Sequence, residues 1–151
     1  MPRPPSWQDE IRQSVRRDAW ALTGPNSLVK VLAWVSPTPS AVGGYFTVGK
    51  YLVGKTPLDI EQLLGLPHDL LSSGAKIYRF QRRPMAHEYE YELTASQPGG
   101  LAFNPAHSSP DYPPGSHYVH QWRIKDEVRI PVDTRGALLL EPGHRFPYEW
   151  L

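Results

Sequence analysis

Apolar and polar positions alternate along this chain in short runs, which predicts strands connected by frequent turns. Residues 27–35, SLVKVLAWV, form an apolar and β-branched run that predicts a strand. Residues 45–53, YFTVGKYLV, predict one or two short strands interrupted at Gly49. Loop residues dominate the intervening SPTPSAVGG, 36–44. The remaining strand-like runs are KIYRFQRR (76–83), HEYEYELT (87–94), HYVHQWRI (117–124) and VRIPV.

The clearest helix signal is TPLDIEQLLGL, residues 56–66. Thr56 is a suitable N-cap, Pro57 suits the first helical position, and Gly65 is a typical stop. A second helix over roughly 7–22 has a weaker apolar pattern. One or two short helices and a mostly antiparallel, twisted sheet with long Pro/Gly-rich loops make an α+β fold.

The length of 151 residues suits one small domain. We expect residues 1–5 to be a linker or tail and 6–151 to be the domain, with residues 45–151 sufficient as its folded unit. A long loop, 97–116, is rich in proline and glycine. Long ordered loops in compact domains are usually functional, so we expect the site near this loop, between strands 76–83 and 117–124.

Composition excludes several classes of function. The chain has no cysteine, so disulfides, thiolate zinc sites and cysteine nucleophiles are excluded. Lys and Arg total 16 against 15 for Asp and Glu, which leaves no general basic excess for binding duplex DNA. No apolar run is long enough for a membrane span, and the first residues lack the apolar region of a secretory signal. These features predict a soluble protein.

The octapeptide GKYLVGKT, residues 49–56, matches the phosphate-binding loop pattern G-x-x-x-x-G-K-[ST]. Tyr51, Leu52 and Val53 favour extended backbone, whereas such a loop must curl its N–H groups around a phosphate. The later strand that could hold a metal, VRIPVD, contains a proline, which argues against a central position in a sheet. We therefore interpret GKT as a strand end followed by a helix cap and expect no binding of ATP–magnesium.

Arg79 is a charge inside the aromatic run IYRF. A guanidinium on a strand can grip a phosphate or carboxylate through two parallel hydrogen bonds. The alternative is a cross-strand ion pair with one of Glu88, Glu90 and Glu92, which share one strand face.

His117 and His120 are three residues apart on a predicted strand, where they point to opposite faces. A metal site made of both is therefore not expected. Either could act alone as an acid or base, or simply pack in the sheet. Gln121 and Gln97 are candidate carboxamides, and Tyr45 could stack on a base or nicotinamide ring.

The order of segments from about 45 to 105 resembles a known group. An aromatic-Thr strand (YFT), a helix ending LLGLP, the strand AKIYRF and the turn QPGG (97–100) follow one another. This layout resembles the C-terminal toxin domains of bacterial polymorphic toxins, specifically the NAD-cleaving group typified by tuberculosis necrotizing toxin. The chain has LAF after QPGG, where the group has a third glycine and Gln-Tyr, so Gln121 is a rival to Gln97 as the catalytic glutamine.

The resemblance implies a metal-independent effector that uses NAD as substrate rather than as a cofactor, by glycohydrolysis or ADP-ribosyl transfer. It places Arg79 near the nucleotide. It also implies a cognate immunity protein, export by a specialised secretion system, and action in a target-cell cytosol during interbacterial competition. Two alternatives stay open: a metal-independent toxin ribonuclease using His117 or His120 with Arg79 or Lys76, and a non-catalytic protein-binding module.

Overall fold

In the computed structural model, the chain is described over residues 22–94 and 120–151. Seven strands and one α-helix lie within these ranges. In chain order they are β1 (Leu28–Ala33), β2 (Ala41–Val42), β3 (Tyr45–Val48), α1 (Pro57–Leu64), β4 (Ala75–Phe80), β5 (Tyr89–Thr94), β6 (His120–Ile124) and β7 (Ile130–Leu140). The α+β prediction is confirmed.

The strands form one sheet in the order β2-β7-β4-β1-β3-β6-β5. All of their pairings are antiparallel, as predicted. The strand β1 is central, since it pairs with β4 on one side and with β3 on the other. A unit of residues 45–151 alone would lack this strand, so that expected boundary is wrong. The strands β4 and β6 were expected to flank a site together, but β1 and β3 lie between them.

Each face of the sheet carries its own apolar cluster. On one face, Phe46 is the centre of an aromatic group, with its ring 5.0 Å from Phe80 and 5.8 Å from Trp122. The opposite face is covered by α1 and the C-terminal residues, and its buried members include Val29, Ile77 and Ile60. Alternation along β4 explains the division, because Ile77 faces one cluster while Tyr78 and Phe80 face the other.

The helix α1 begins and ends as the sequence predicts. The Thr56 hydroxyl accepts a hydrogen bond from the Asp59 N–H at 3.3 Å, and the Asp59 carboxylate accepts one from the Thr56 N–H at 3.1 Å. This reciprocal bonding lowers the pKa of Asp59. Gly65 ends the helix with φ of 65°, a left-handed conformation that favours glycine. The end of α1 is therefore fixed in place, and it forms one wall of the pocket described below.

Three segments differ in detail from their predictions. The predicted loop 36–44 contains β2, and the second half of 45–53 is a 3₁₀ turn, Gly49–Tyr51, rather than strand. The strand β7 is internal although it contains Pro131. Pro131 lies opposite β2, which has only two residues, so the missing N–H removes few hydrogen bonds from the sheet. The predicted helix over 7–22 and the loop 97–116 lie outside the described residues.

The GKYLVGKT segment has its backbone N–H groups engaged within the fold. Those of Gly49 and Lys50 donate to the carbonyls of Ser27 and Pro25, and that of Gly54 donates to Phe146. The N–H of Lys55 donates to Leu52 in the same segment. A phosphate-binding loop needs these groups free, so the interpretation as a strand end and helix cap agrees with the structure. Within the described ranges, no helix is both long enough and apolar enough to cross a bilayer.

Candidate functional site

The sheet opens between β1 and β3. These strands pair only at Leu28–Val48 and Val29–Thr47, after which β3 pairs with β6 through Tyr45 and Phe46. The strand β1 continues along β4 as far as Ala33. Since the β1–β3 ladder stops after two residue pairs, a gap lies between the diverging strands.

A pocket of about 150 Å³ occupies this gap. The residues after α1 form one wall, through Leu66 and Leu70, and Ser36 also lines the cavity. The polar side chains in its lining are neutral except for one lysine: they are Lys30, Ser36, Tyr45, Thr47 and Gln121. Among the described residues, the lining has one cation and no carboxylate, which favours ligands with an anionic or carbonyl oxygen.

The Lys30 side chain links β1 to β3 where the ladder between these strands is missing. Its Nζ donates to the backbone carbonyl of Tyr45 at 2.7 Å, replacing the ladder bond that β1 would otherwise provide. Burial, with a smaller contribution from the positive charge of Arg129, lowers the pKa of Lys30 from 10.5 to about 8. A substantial fraction of this amine is therefore neutral at mildly alkaline pH.

Gln121 also lines the pocket and anchors the end of the helix. It is 1% exposed, and its Nε2 donates to the carbonyl of Leu64 at 3.0 Å. Leu64 is the last residue of α1, where carbonyls have no partner within the helix. The β6 side chain therefore caps α1 and fixes the pocket wall at the same time. Its neighbour Trp122 lies in the cluster on the other face of the sheet, as strand alternation requires.

Arg79 lies on β4, outside the pocket lining. Its guanidinium stacks on the Trp150 ring, with Cζ 4.1 Å from the ring centroid. The Trp150 Nε1 donates to the carbonyl of Gly136 at 2.9 Å, which holds the ring against β7. Arg79 therefore packs beneath the C-terminal residues.

Glu88 and Glu90, beside and on β5, pair with other arginines. Glu88 accepts two hydrogen bonds from Arg82, both at 2.9 Å. These hydrogen bonds lower the pKa of Glu88 to about 2. Glu90 pairs with Arg123, which also pairs with Asp126. Among the described contacts, Arg79 forms no ion pair with Glu88 or Glu90.

The structure brings together two of the predicted site residues, Tyr45 and Gln121. Gln97 and His117 lie outside the described residues, and for His120 only the backbone position on β6 is described. Their proposed roles stay predictions. Sequence reasoning missed Lys30, although the signal was present, because a lysine inside the apolar run SLVKVLAWV is as unusual as the arginine in IYRF.

In the part of the chain that the structure describes, one group of side chains has the spacing of metal ligands. Glu61, His68 and Asp69 each offer an atom within 4.8 Å of the others. Glu61 is buried, but its Oε1 already accepts a hydrogen bond from the Leu71 N–H at 2.8 Å. This bond fixes the turn after α1, so the buried carboxylate has a structural task and we assign the group no ligand.

Comparison of the chain with protein-family models, with curated proteins and with solved structures found no match. The site must therefore be interpreted from its own chemistry.

Proposed function

We propose that this chain is a toxin-type enzyme that cleaves NAD at the bond between nicotinamide and ribose. The supporting observation is the pocket of about 150 Å³ where Lys30, Tyr45 and Gln121 meet. A cavity of about this size accepts one aromatic ring, whereas a site for a whole drug-sized ligand is roughly 300–1,000 Å³. The nicotinamide ring would enter, and the ribose and diphosphate would stay outside.

The polar groups of the pocket suit a carboxamide. An ammonium has three donors, and Lys30 uses one of them on the Tyr45 carbonyl. Another can reach the carboxamide oxygen of a bound nicotinamide. Apolar contacts with the ring would come from Val31, Leu66 and Leu70, which line the same cavity.

The charge of Lys30 also suits the reaction. In NAD the ring nitrogen carries a positive charge. When the bond to the ribose carbon breaks, both electrons move to that nitrogen, the ring becomes neutral, and the positive charge develops on the ribose. Water then adds to the ribose carbon and releases a proton; in ADP-ribosyl transfer another nucleophile takes its place. An ammonium beside the ring disfavours its charged form and is relieved as the neutral ring leaves, which lowers the barrier.

The biological setting is part of the same proposal. Depletion of NAD kills the cell in which it occurs, so a producing bacterium would need an immunity protein. The toxin would have to be exported by a specialised secretion system to act in the cytosol of a target cell. An inhibitor that blocks the mouth of the Lys30 pocket would be sufficient.

The test is incubation of the purified chain with NAD, followed by chromatography of the products. We expect nicotinamide and ADP-ribose in equal amounts, with nicotinamide alone released freely if a protein acceptor takes the ADP-ribose. Intact RNA in a parallel reaction separates this activity from that of a ribonuclease. Degraded RNA with unchanged NAD would replace the proposal by the ribonuclease alternative. If NAD and RNA both stay intact and expression in bacteria does not arrest growth, a binding module is favoured.

A further inference from the structure

We propose that Lys30 is a covalent binding site for small carbonyl compounds, in particular aldehydes no larger than one aromatic ring. The proposal does not depend on NAD cleavage. It rests on the position of one amine in a pocket and on the groups around it.

Lys30 is one of the residues that line the pocket, and a hydrogen bond orients its amine. Lys30 lines the cavity while its Nζ donates to the Tyr45 carbonyl at 2.7 Å. In the neutral amine, donation of one hydrogen to this carbonyl directs the lone pair away from the backbone. Gly44 leaves room beside the nitrogen, since a β-carbon at this position would lie 3.4 Å from Nζ. The nucleophile is therefore held in place before a carbonyl compound arrives.

The charged and titratable groups around Lys30 shift it toward the neutral amine, which becomes abundant from about pH 8 upward, whereas the ammonium prevails at neutral pH. Among the described residues that line the pocket, none is an aspartate or glutamate that could stabilise an ammonium. Arg129, which precedes β7, repels the positive charge. From the sheet itself, the facing residues are Tyr45 on β3 and Tyr78, the partner of Lys30 on β4. The lowered pKa, about 8, follows from this environment, and lysines in such surroundings serve as nucleophiles toward carbonyl groups.

The reaction is balanced with the groups present. The lone pair of neutral Nζ adds to the carbonyl carbon, and the carbonyl oxygen takes up a proton to give a carbinolamine. Loss of that oxygen as water, with the remaining amine proton, leaves a carbon–nitrogen double bond between the ligand and Lys30. No oxidant or reductant is needed, and hydrolysis reverses the bond.

Lys76 provides a matched control. It is also a strand lysine, and its Nζ also donates to a backbone carbonyl, that of Ser36, at 2.8 Å. It does not line the pocket. If hydrogen bonding to the backbone alone made a lysine reactive, both residues would react, whereas the proposal requires a strong preference for Lys30.

The experiment uses benzaldehyde with sodium cyanoborohydride at pH 8, which traps any imine as a stable benzyl amine. Intact mass and peptide mapping then locate the label among the five lysines and the N-terminus. We expect labelling of Lys30 at least tenfold faster than that of Lys76. Anthracene-9-carbaldehyde, which is too large for the pocket, should lose this preference.

Two variants make the result decisive. Lys30→Arg keeps a donor for the Tyr45 carbonyl but cannot form an imine, so it should fold and lose the fast label, while Lys76→Met should retain it. Labelling spread evenly over the lysines would overturn the proposal, as would a fast label that persists in Lys30→Arg or falls mainly elsewhere. Labelling of Lys30 in a protein that leaves NAD intact would support this inference while removing the proposed function.

Discussion

Two groups of cations in this molecule have opposite surroundings. On the β5–β6 side, Arg82 is bonded to Glu88, and Arg123 to Glu90 and Asp126. In the gap between β1 and β3, Lys30 has a carbonyl partner, and no carboxylate is found among the described residues that line its pocket. The two arginines are paired with carboxylates, whereas Lys30 is bonded to a neutral carbonyl, so its charge is available to act on a ligand.

The largest effect is expected when the positive charge of Lys30 is removed, and Lys76 serves as the control. We expect Lys30→Met to lower kcat/KM for NAD cleavage about a hundredfold, in line with the loss of one positioned charge in a partly buried site. Lys76→Met should stay within about twofold of wild type, because Lys76 lies outside the pocket. Equal losses in both variants, measured by nicotinamide release, would remove the distinction between the two lysines.

Stability as a function of pH provides a second test. Because folding lowers the pKa of Lys30 from 10.5 to about 8, the unfolded chain binds more protons in this window, and the free energy of unfolding should rise with pH across it. The pKa shift corresponds to at most about 3 kcal/mol in the free energy of unfolding. Since solvent screens the partly exposed side chain, we expect a contribution of about 1–3 kcal/mol.

This contribution is measured by urea unfolding at pH 7 and pH 10. Wild type and Lys76→Met should gain stability relative to Lys30→Met between these two values. The difference isolates Lys30, since other titrating groups are shared. A constant difference across the window would mean that the amine has an ordinary pKa and is no different from Lys76.

Gln121 joins the pocket to the helix, so its removal should affect stability as well as binding. Gln121→Leu has a similar volume but leaves the Leu64 carbonyl without its donor. We expect a loss of about 1–2 kcal/mol in the free energy of unfolding, typical of the loss of one buried hydrogen bond. Chemical denaturation gives the value, and an unchanged midpoint would show that water replaces the amide.

The smallest effect is expected on the β5–β6 side. Glu88→Gln removes the charge from the pair with Arg82, whose side chain is 46% exposed, so the cost should be below about 1 kcal/mol. Since the pair lowers the pKa of Glu88 to about 2, its contribution is complete above the ordinary carboxyl pKa of 4.5 and is lost as the pH falls through 2. NAD cleavage should be unchanged at pH 7, and a large loss there would place the site on this side instead.

Local patterns predicted the elements better than their arrangement. The capping box of Thr56 and the stop at Gly65 act within a few residues, so the bounds of α1 could be predicted directly from the sequence. The order of strands depends on long-range pairing, which no local signal in β1 or β6 specifies. For this reason the expected adjacency of Arg79 and Gln121 was wrong, while Tyr45 and Gln121 do share a pocket.

The role of Lys30 illustrates the same limit. Its position in an apolar strand could be recognised, but its chemistry arises because the β1–β3 ladder ends after two residue pairs and opens a cavity beside it. That event depends on β3 changing partners from β1 to β6, which the sequence does not reveal.

Both proposals require that a ligand ring binds in the pocket beside Lys30. Titration of the isotope-labelled protein with nicotinamide, followed by NMR, tests this claim directly. We predict saturable shifts at Lys30, Tyr45, Thr47 and Gln121, all fitting one dissociation constant, with Glu88 and Arg82 unmoved. Saturable shifts centred on the β5–β6 side, or a pocket whose signals do not move at the solubility limit of the ligand, would contradict it.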